Sequence, residues 1–323
     1  MSGFSLTHIG GPTVLIEIDG WRLLTDPTFD PAGGKYAFGW GTRSEKLSDP
    51  AVGLDELGRI DAVLLSHEHH EDNLDAAGRA MLPDAGKVLT TVSGAQTLAG
   101  HAVAIGLDDW QSTIFEAEGK PTITVTATPC RHGPPLSRPI TGDVIGFSLE
   151  WEGQPGSLWI TGDTVLYPGV LEVAGRIDVD TAIVHLGGVR FPVSGPLRYT
   201  MTAADAVRLC DRVGPRNIVP IHFEGWKHFR QGREEIEAEF SKAPLSFRER
   251  VRWLEPGVPV EFGRSEQDPQ TSSRRKQLVR WVFTRPVASI RANMLVGPTN
   301  LKPRRRSSAA NSADSSELVG TSA

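Results

Sequence analysis

Apolar positions recur with period two or in short solid runs along most of the chain, and turn residues cut these runs into strands. Thr13 to Ile18 is β-branched and apolar, Asp19-Gly20 makes a tight turn and Trp21 to Thr25 returns, which predicts an opening hairpin. Asp26-Pro27 ends it, since proline cannot continue the ladder. Further strands are predicted at Ala62 to Leu65, Lys87 to Thr91, Trp110 to Phe115, Thr122 to Thr128, Val144 to Trp151, Ser157 to Ile160, Thr181 to His185 and Asn217 to Ile221. Helical spacing appears at Asp75 to Met81, at Ser93 to Ala99 and most clearly at Thr202 to Val213, with Thr202 as N-cap. Residues 29–59 set Gly33, Gly34, Gly39 and Gly41 beside Tyr36, Phe38 and Trp40, and read as an irregular lid, binding loop or edge cover. Strands alternating with helices predict an α/β layered fold.

The strand ends carry the chemistry. Ala62 to Leu65 runs into Ser66-His67-Glu68-His69-His70-Glu71-Asp72-Asn73-Leu74-Asp75, where six of the eight residues from His67 to Leu74 are His, Glu or Asp. A core has no use for that density of titratable groups, whereas imidazoles and carboxylates are what zinc-type ions bind. A solvated helix-initiating loop is the plainer alternative. Other strands each deliver one His or Asp at their end: His132, Asp163, His185 and His222. Groups so scattered can meet only at one edge of a sheet.

Charge divides the chain. Residues 1–263 hold 23 Lys and Arg against 35 Asp and Glu, a balance of −12, and residues 264–323 hold 11 against 4, a balance of +7. The expectation is an acidic folded domain over 1–263 and a basic, Ser/Ala-rich, largely disordered tail over 264–323. Cys130 and Cys210 are the only cysteines, which excludes a disulfide framework and suits a reducing cytoplasm. No window reaches the ~20 apolar residues of a membrane span, and no secretory leader is legible.

Taken together these motifs resemble the metallo-β-lactamase superfamily, most closely its ascorbate-6-phosphate-lactonase-like and N-acyl-phosphatidylethanolamine phospholipase D-like branch. The likeness rests on Thr7 to Ile16 with Leu24-Thr25-Asp26-Pro27, on Ser66-His67-Glu68-His69, on His132, on Thr161-Gly162-Asp163-Thr164 and on Pro220-Ile221-His222. It spans roughly residues 4–263. It implies an αββα sandwich of two mixed sheets with metal at one edge. It further implies that His67, His69 and His132 hold one ion, that Asp163 bridges, and that Asp72 with His222 holds a second.

One departure stands out. The family signature places Asp-His two residues after its second histidine, and this chain has His70-Glu71-Asp72-Asn73 there. Aligned without a gap, Glu71 and Asp72 fill those slots. With one inserted residue, the preferred alignment, Asp72 and Asn73 do. In both, the second site lacks an imidazole; His70 could substitute, but in the preferred alignment His70 and Glu71 are expected to face outward as bystanders.

A metal-lowered water pKa of ~7 would supply hydroxide at neutral pH, so the expected function is hydrolysis of an ester, lactone or phosphodiester. Asp72 and His185 are the expected proton-handling or orienting groups, with Asp26, His8 and His228 as further supporters and Arg131 and Arg190 as anion binders. Zinc, as one ion or two, is the expected cofactor, with manganese as the alternative. The expected substrate is a small molecule or lipid-like compound, and a homo-oligomer stays open. A metal-poor binding or scaffold protein is the competing reading. A nuclease using the basic tail is weaker, because nucleic acid calls for a basic face and the body is acidic.

Overall fold

The computed structural model describes residues 3–39 and 41–263; the expected disorder of 264–323 lies outside the described residues. In chain order the strands are β1 (Phe4–Gly10), β2 (Thr13–Ile18), β3 (Trp21–Thr25), β4 (Lys35–Ala37), β5 (Arg43–Glu45), β6 (Ala62–Leu64), β7 (Val88–Thr91) and β8 (Ala104–Leu107). There follow β9 (Ser112–Phe115), β10 (Ile123–Pro129), β11 (Ile145–Trp151), β12 (Ser157–Ile160), β13 (Val179–His185), β14 (Asn217–Ile221) and β15 (Val260–Phe262).

Two mixed sheets face each other. The first is seven-stranded in the order β15-β1-β2-β3-β6-β7-β8, and the second six-stranded in the order β14-β13-β12-β11-β10-β9. Each is antiparallel on one side and parallel on the other: β3, β6, β7 and β8 run parallel, as do β12, β13 and β14. Period two explains the layering. Ile160 and Ile183 point between the sheets with Leu6, Ile16, Leu64 and Phe147, all nearly inaccessible to solvent. Their chain neighbours Trp159, Ala182 and Val184 point outward and meet helices. On the far side Leu24, Val63 and Val88 are covered by Leu57, Leu74 and Leu82. The expected αββα sandwich is the observed architecture.

The helix Ala203–Val213 shows how local sequence serves this packing. Thr202 and Asp205 form a reciprocal capping box, and Gly214 ends the helix in the left-handed conformation. Ala203, Ala206, Leu209 and Cys210, spaced by about one turn, form its buried stripe.

The stretch 29–59 differs from expectation. It contains the small hairpin β4–β5 and a short helix, Leu54–Leu57. The hairpin is anchored from below: the Lys46 ammonium, 4% exposed, donates to Asp75 at 2.9 Å. Asp75 also accepts from the backbone N–H groups of Phe29, Asp30 and Gly78.

Candidate metal centre

The strand ends do converge. β6 stops at Leu64, and the polar run after it is buried rather than solvated: His67 and Asn73 are inaccessible, and His70 and Asp72 nearly so. Burying such groups is costly unless they are bonded or bind an ion.

Three imidazoles form one cluster. His67 Nε2 and His132 Nε2 lie 3.1 and 3.2 Å from His70 Nδ1. His132 Nδ1–H donates to the Tyr199 carbonyl at 2.8 Å, which leaves a lone pair on Nε2 facing the cluster. His67 Nδ1 sits 2.9 Å from Ser66 Oγ, which also accepts from the Asn73 amide. Burial, reinforced by neighbouring imidazoles, drives His67 and His70 well below the usual imidazole range, and burial takes His132 down to about 4. Neutral rings are the form that coordinates metal.

Asp72, Asp163 and His222 form the second cluster, with ligand atoms within 4.8 Å of one another. His222 Nδ1 lies 3.3 Å from Asp163 Oδ1, and its Nε2 lies 3.6 Å from Asp72 Oδ2. These approaches lack hydrogen-bond geometry: both oxygens of Asp163, Oδ1 of Asp72 and both nitrogens of His222 are buried without a hydrogen-bond partner. Burial pushes Asp163 up to about 6. Burial also opposes ionisation of Asp72, but His222 and His228 outweigh it and hold that carboxyl well below the ordinary range. His228 Nε2–H donates to Asp72 at 3.0 Å, and Ser44 Oγ sits 2.6 Å from the other ring nitrogen. Orphaned carboxylate and imidazole atoms aimed at one another fit a divalent cation, which would take one ligand atom from each of the three residues.

Backbone geometry holds these groups in place. His222, at φ 59°, and Asp26, at φ 30°, occupy the left-handed region, at a cost of about 1–3 kcal/mol each. Two glycines make room. A Cβ on Gly162, in the turn that presents Asp163, would stand 2.7 Å from the Ile145 carbonyl, and one on Gly187 would stand 2.6 Å from the His222 carbonyl. Asp26 accepts from Ser66 N–H at 2.6 Å, and its carboxyl is raised to about 7 by burial.

The other expected residues take varied places. His69 lies beside the cluster, its ring 4.8 Å from that of His67 and 4.4 Å from that of His70, with a ring nitrogen meeting the Thr141 carbonyl on a partly exposed side. His70, expected to point outward, is buried between His67 and His132. The extra residue therefore falls between the two converging histidines, and Asp72 follows His70 at the spacing that the family signature gives its second histidine and aspartate. His185 stands behind the second cluster, its ring 5.4 Å from that of His222 and its Nε2 3.6 Å from Asp26, and burial drops it to about 3. It does not line the cavity beside the histidine cluster, which Asp72 does. His8 faces the Gly11 carbonyl and Glu224. Arg131 stacks on Tyr167 beside an adjoining cavity of about 370 Å³, and Arg190 is exposed; neither lines the cleft. Lys46 and Ser44 support the site without any local sequence signal, because their partners are 29 and 184 residues away.

A family model described as beta-lactamase superfamily domain matches residues 21–223. A metal-dependent hydrolase from Opitutus terrae is 28% identical over 263 residues, covering 79% of this chain and 99% of that relative. Among solved structures, an isothiocyanate hydrolase from Delia radicum gut bacteria is similar at TM-score 0.69 and 20% identity, over 80% of this chain and 100% of the other. A possible metal-dependent hydrolase from Veillonella parvula is similar at TM-score 0.67 and 20% identity, over 79% and 98%. The two structural likenesses bear on the fold.

Proposed function

Because the chain belongs to the beta-lactamase superfamily domain family, we propose that it is a metal-dependent hydrolase in which His67, His70 and His132 hold one ion and Asp72, Asp163 and His222 a second. The observation that carries this reading is the set of buried, partnerless ligand atoms on Asp72, Asp163 and His222 beside three neutral imidazoles. Bound there, the ions would supply Lewis-acid polarisation of the scissile bond and an activated water at neutral pH. The protein's own groups do the rest. Asp72 is fixed by His228 through one oxygen and turns its other, free oxygen to orient the attacking water. Tyr199 fixes the tautomer of His132, and Ser66 with Asn73 steadies His67.

Imidazole and carboxylate donors suit zinc, with manganese as the alternative. We assign the chain to the lactonase-like and phospholipase D-like branch on its strand-end motifs, acting on an ester, lactone or phosphodiester of a small or lipid-like molecule in the cytoplasm. No helix among the described residues is long and apolar enough to cross a membrane. The test is metal content by mass spectrometry together with turnover of p-nitrophenyl esters, a lactone and bis-p-nitrophenyl phosphate by wild type and His132→Ala. Wild type is expected to carry one to two ions and to turn over at least one substrate, and the variant to lose the ion of the histidine cluster and to turn over ~100-fold or more slowly. Metal-free protein inert on the whole panel after reconstitution would instead make it a scaffold.

A further inference from the structure

The cleft beside the histidine cluster, which Asp72 of the second cluster also reaches, has a floor and walls of opposite character. Its floor is the edges of His70, Asp72 and His132. Its walls are Phe38, Ile140, Val189, Phe191 and Tyr199, interrupted by the hydroxyls of Thr42 and Thr141, and among the described residues no Lys or Arg lines it. The aromatic rings pack on one another and on the histidines: Phe38 lies 5.7 Å from His70 and 5.9 Å from Phe191, and Tyr199 lies 6.0 Å from His132. The loops that supply the walls also present apolar side chains to solvent, with Leu136 94% and Val193 64% exposed. An apolar rim thus continues an apolar wall. A phosphodiester keeps a negative charge that wants guanidinium or ammonium partners beyond any ion, and the walls offer none. An alkyl or aryl group finds surface that excludes water.

We propose that this cleft binds the uncharged, apolar arm of a carboxylic ester or lactone and discriminates against phosphodiesters, an inference that rests on the hydrolase reading above. The water oxygen bonds to the acyl carbon, the ester C–O bond breaks, and the leaving alcohol oxygen takes up a proton from that water. The enclosed space is about 30 Å³, room for about two waters, so on this proposal the arm enters as the Phe38 side chain gives way.

The test compares p-nitrophenyl acetate, p-nitrophenyl butyrate and bis-p-nitrophenyl phosphate, which share a leaving group, on metal-loaded wild type and Phe38→Ala. A thermal-shift titration of metal-free protein with butyranilide and with inorganic phosphate runs beside it. Expected are a roughly tenfold gain in kcat/KM from acetate to butyrate for two added methylenes, a phosphodiester rate at least ~100-fold lower, and stabilisation by butyranilide but not phosphate. In Phe38→Ala, which opens the cavity, the KM for butyrate falls several-fold while that for acetate holds. Comparable phosphodiester turnover, or no dependence on acyl length, overturns the inference and leaves the hydrolase reading intact. Inertness towards all three substrates overturns the hydrolase reading, and the butyranilide titration then decides the cleft by itself: no stabilisation ends the proposal.

Discussion

At the scale of single residues, the informative position is the second histidine of the ligand loop. His69 and His70 are adjacent in sequence, and nothing in their letters says which ring turns inward. Ring direction is set 72 residues away, where the Thr141 carbonyl takes His69, and 62 residues away, where His132 meets His70. Sequence reasoning therefore found the loop and most of the convergent groups, while the choice between the two adjacent rings rests on long-range contacts that the letters do not carry. The geometry makes a sharp distinction. His70→Ala is expected to weaken metal binding by ~100-fold or more, and His69→Ala by less than about threefold, measured by competition with a chelating dye. Equal losses would return His69 to the ligand set.

At the scale of elements, the sequence was clearest where periodicity and turn chemistry agree. The opening hairpin and the helix Ala203–Val213 are such places: Asp19-Gly20 and the Thr202–Asp205 box name their own boundaries. Thr202→Ala should cost about 1 kcal/mol in urea unfolding, with the metal clusters unaffected. The hairpin β4–β5 was illegible because its strands are three residues each and its support is tertiary. Lys46→Met removes the ammonium and leaves the Asp75 carboxylate buried with backbone donors only. A loss of about 3–5 kcal/mol in unfolding free energy is expected. A change below 1 kcal/mol would mean that the pair does not anchor the hairpin.

At the scale of the whole molecule, two sheets with a shared core account for most of the burial, and the thiols report on it. Burial pushes Cys210 up to about 12 and Cys130 well above the usual thiol range. Cys210, fully buried, should react with a disulfide reagent at least ~50-fold more slowly in native protein than after denaturation, and more slowly than the partly accessible Cys130. We also propose that residues 1–263 fold as a unit. A chain ending at Gly263 should melt within about 2 °C of the full chain, whereas one ending at Gly257 loses β15 and the stacking of Phe4 on Phe262.

That last strand has another consequence. Phe4 and Phe262 are direct neighbours in the antiparallel pair β1–β15, so the unit of residues 3–263 returns to where it started. A unit whose first and last strands are adjacent is effectively a ring with one cut. The cut can be moved: a short glycine linker from residue 263 to residue 3, with new termini opened at the exposed turn around Gly119, should give a circular permutant with the same fold and the same converging histidines. By the same geometry the whole unit is suited to sit as a guest within a surface loop of another protein, entering and leaving through neighbouring strands.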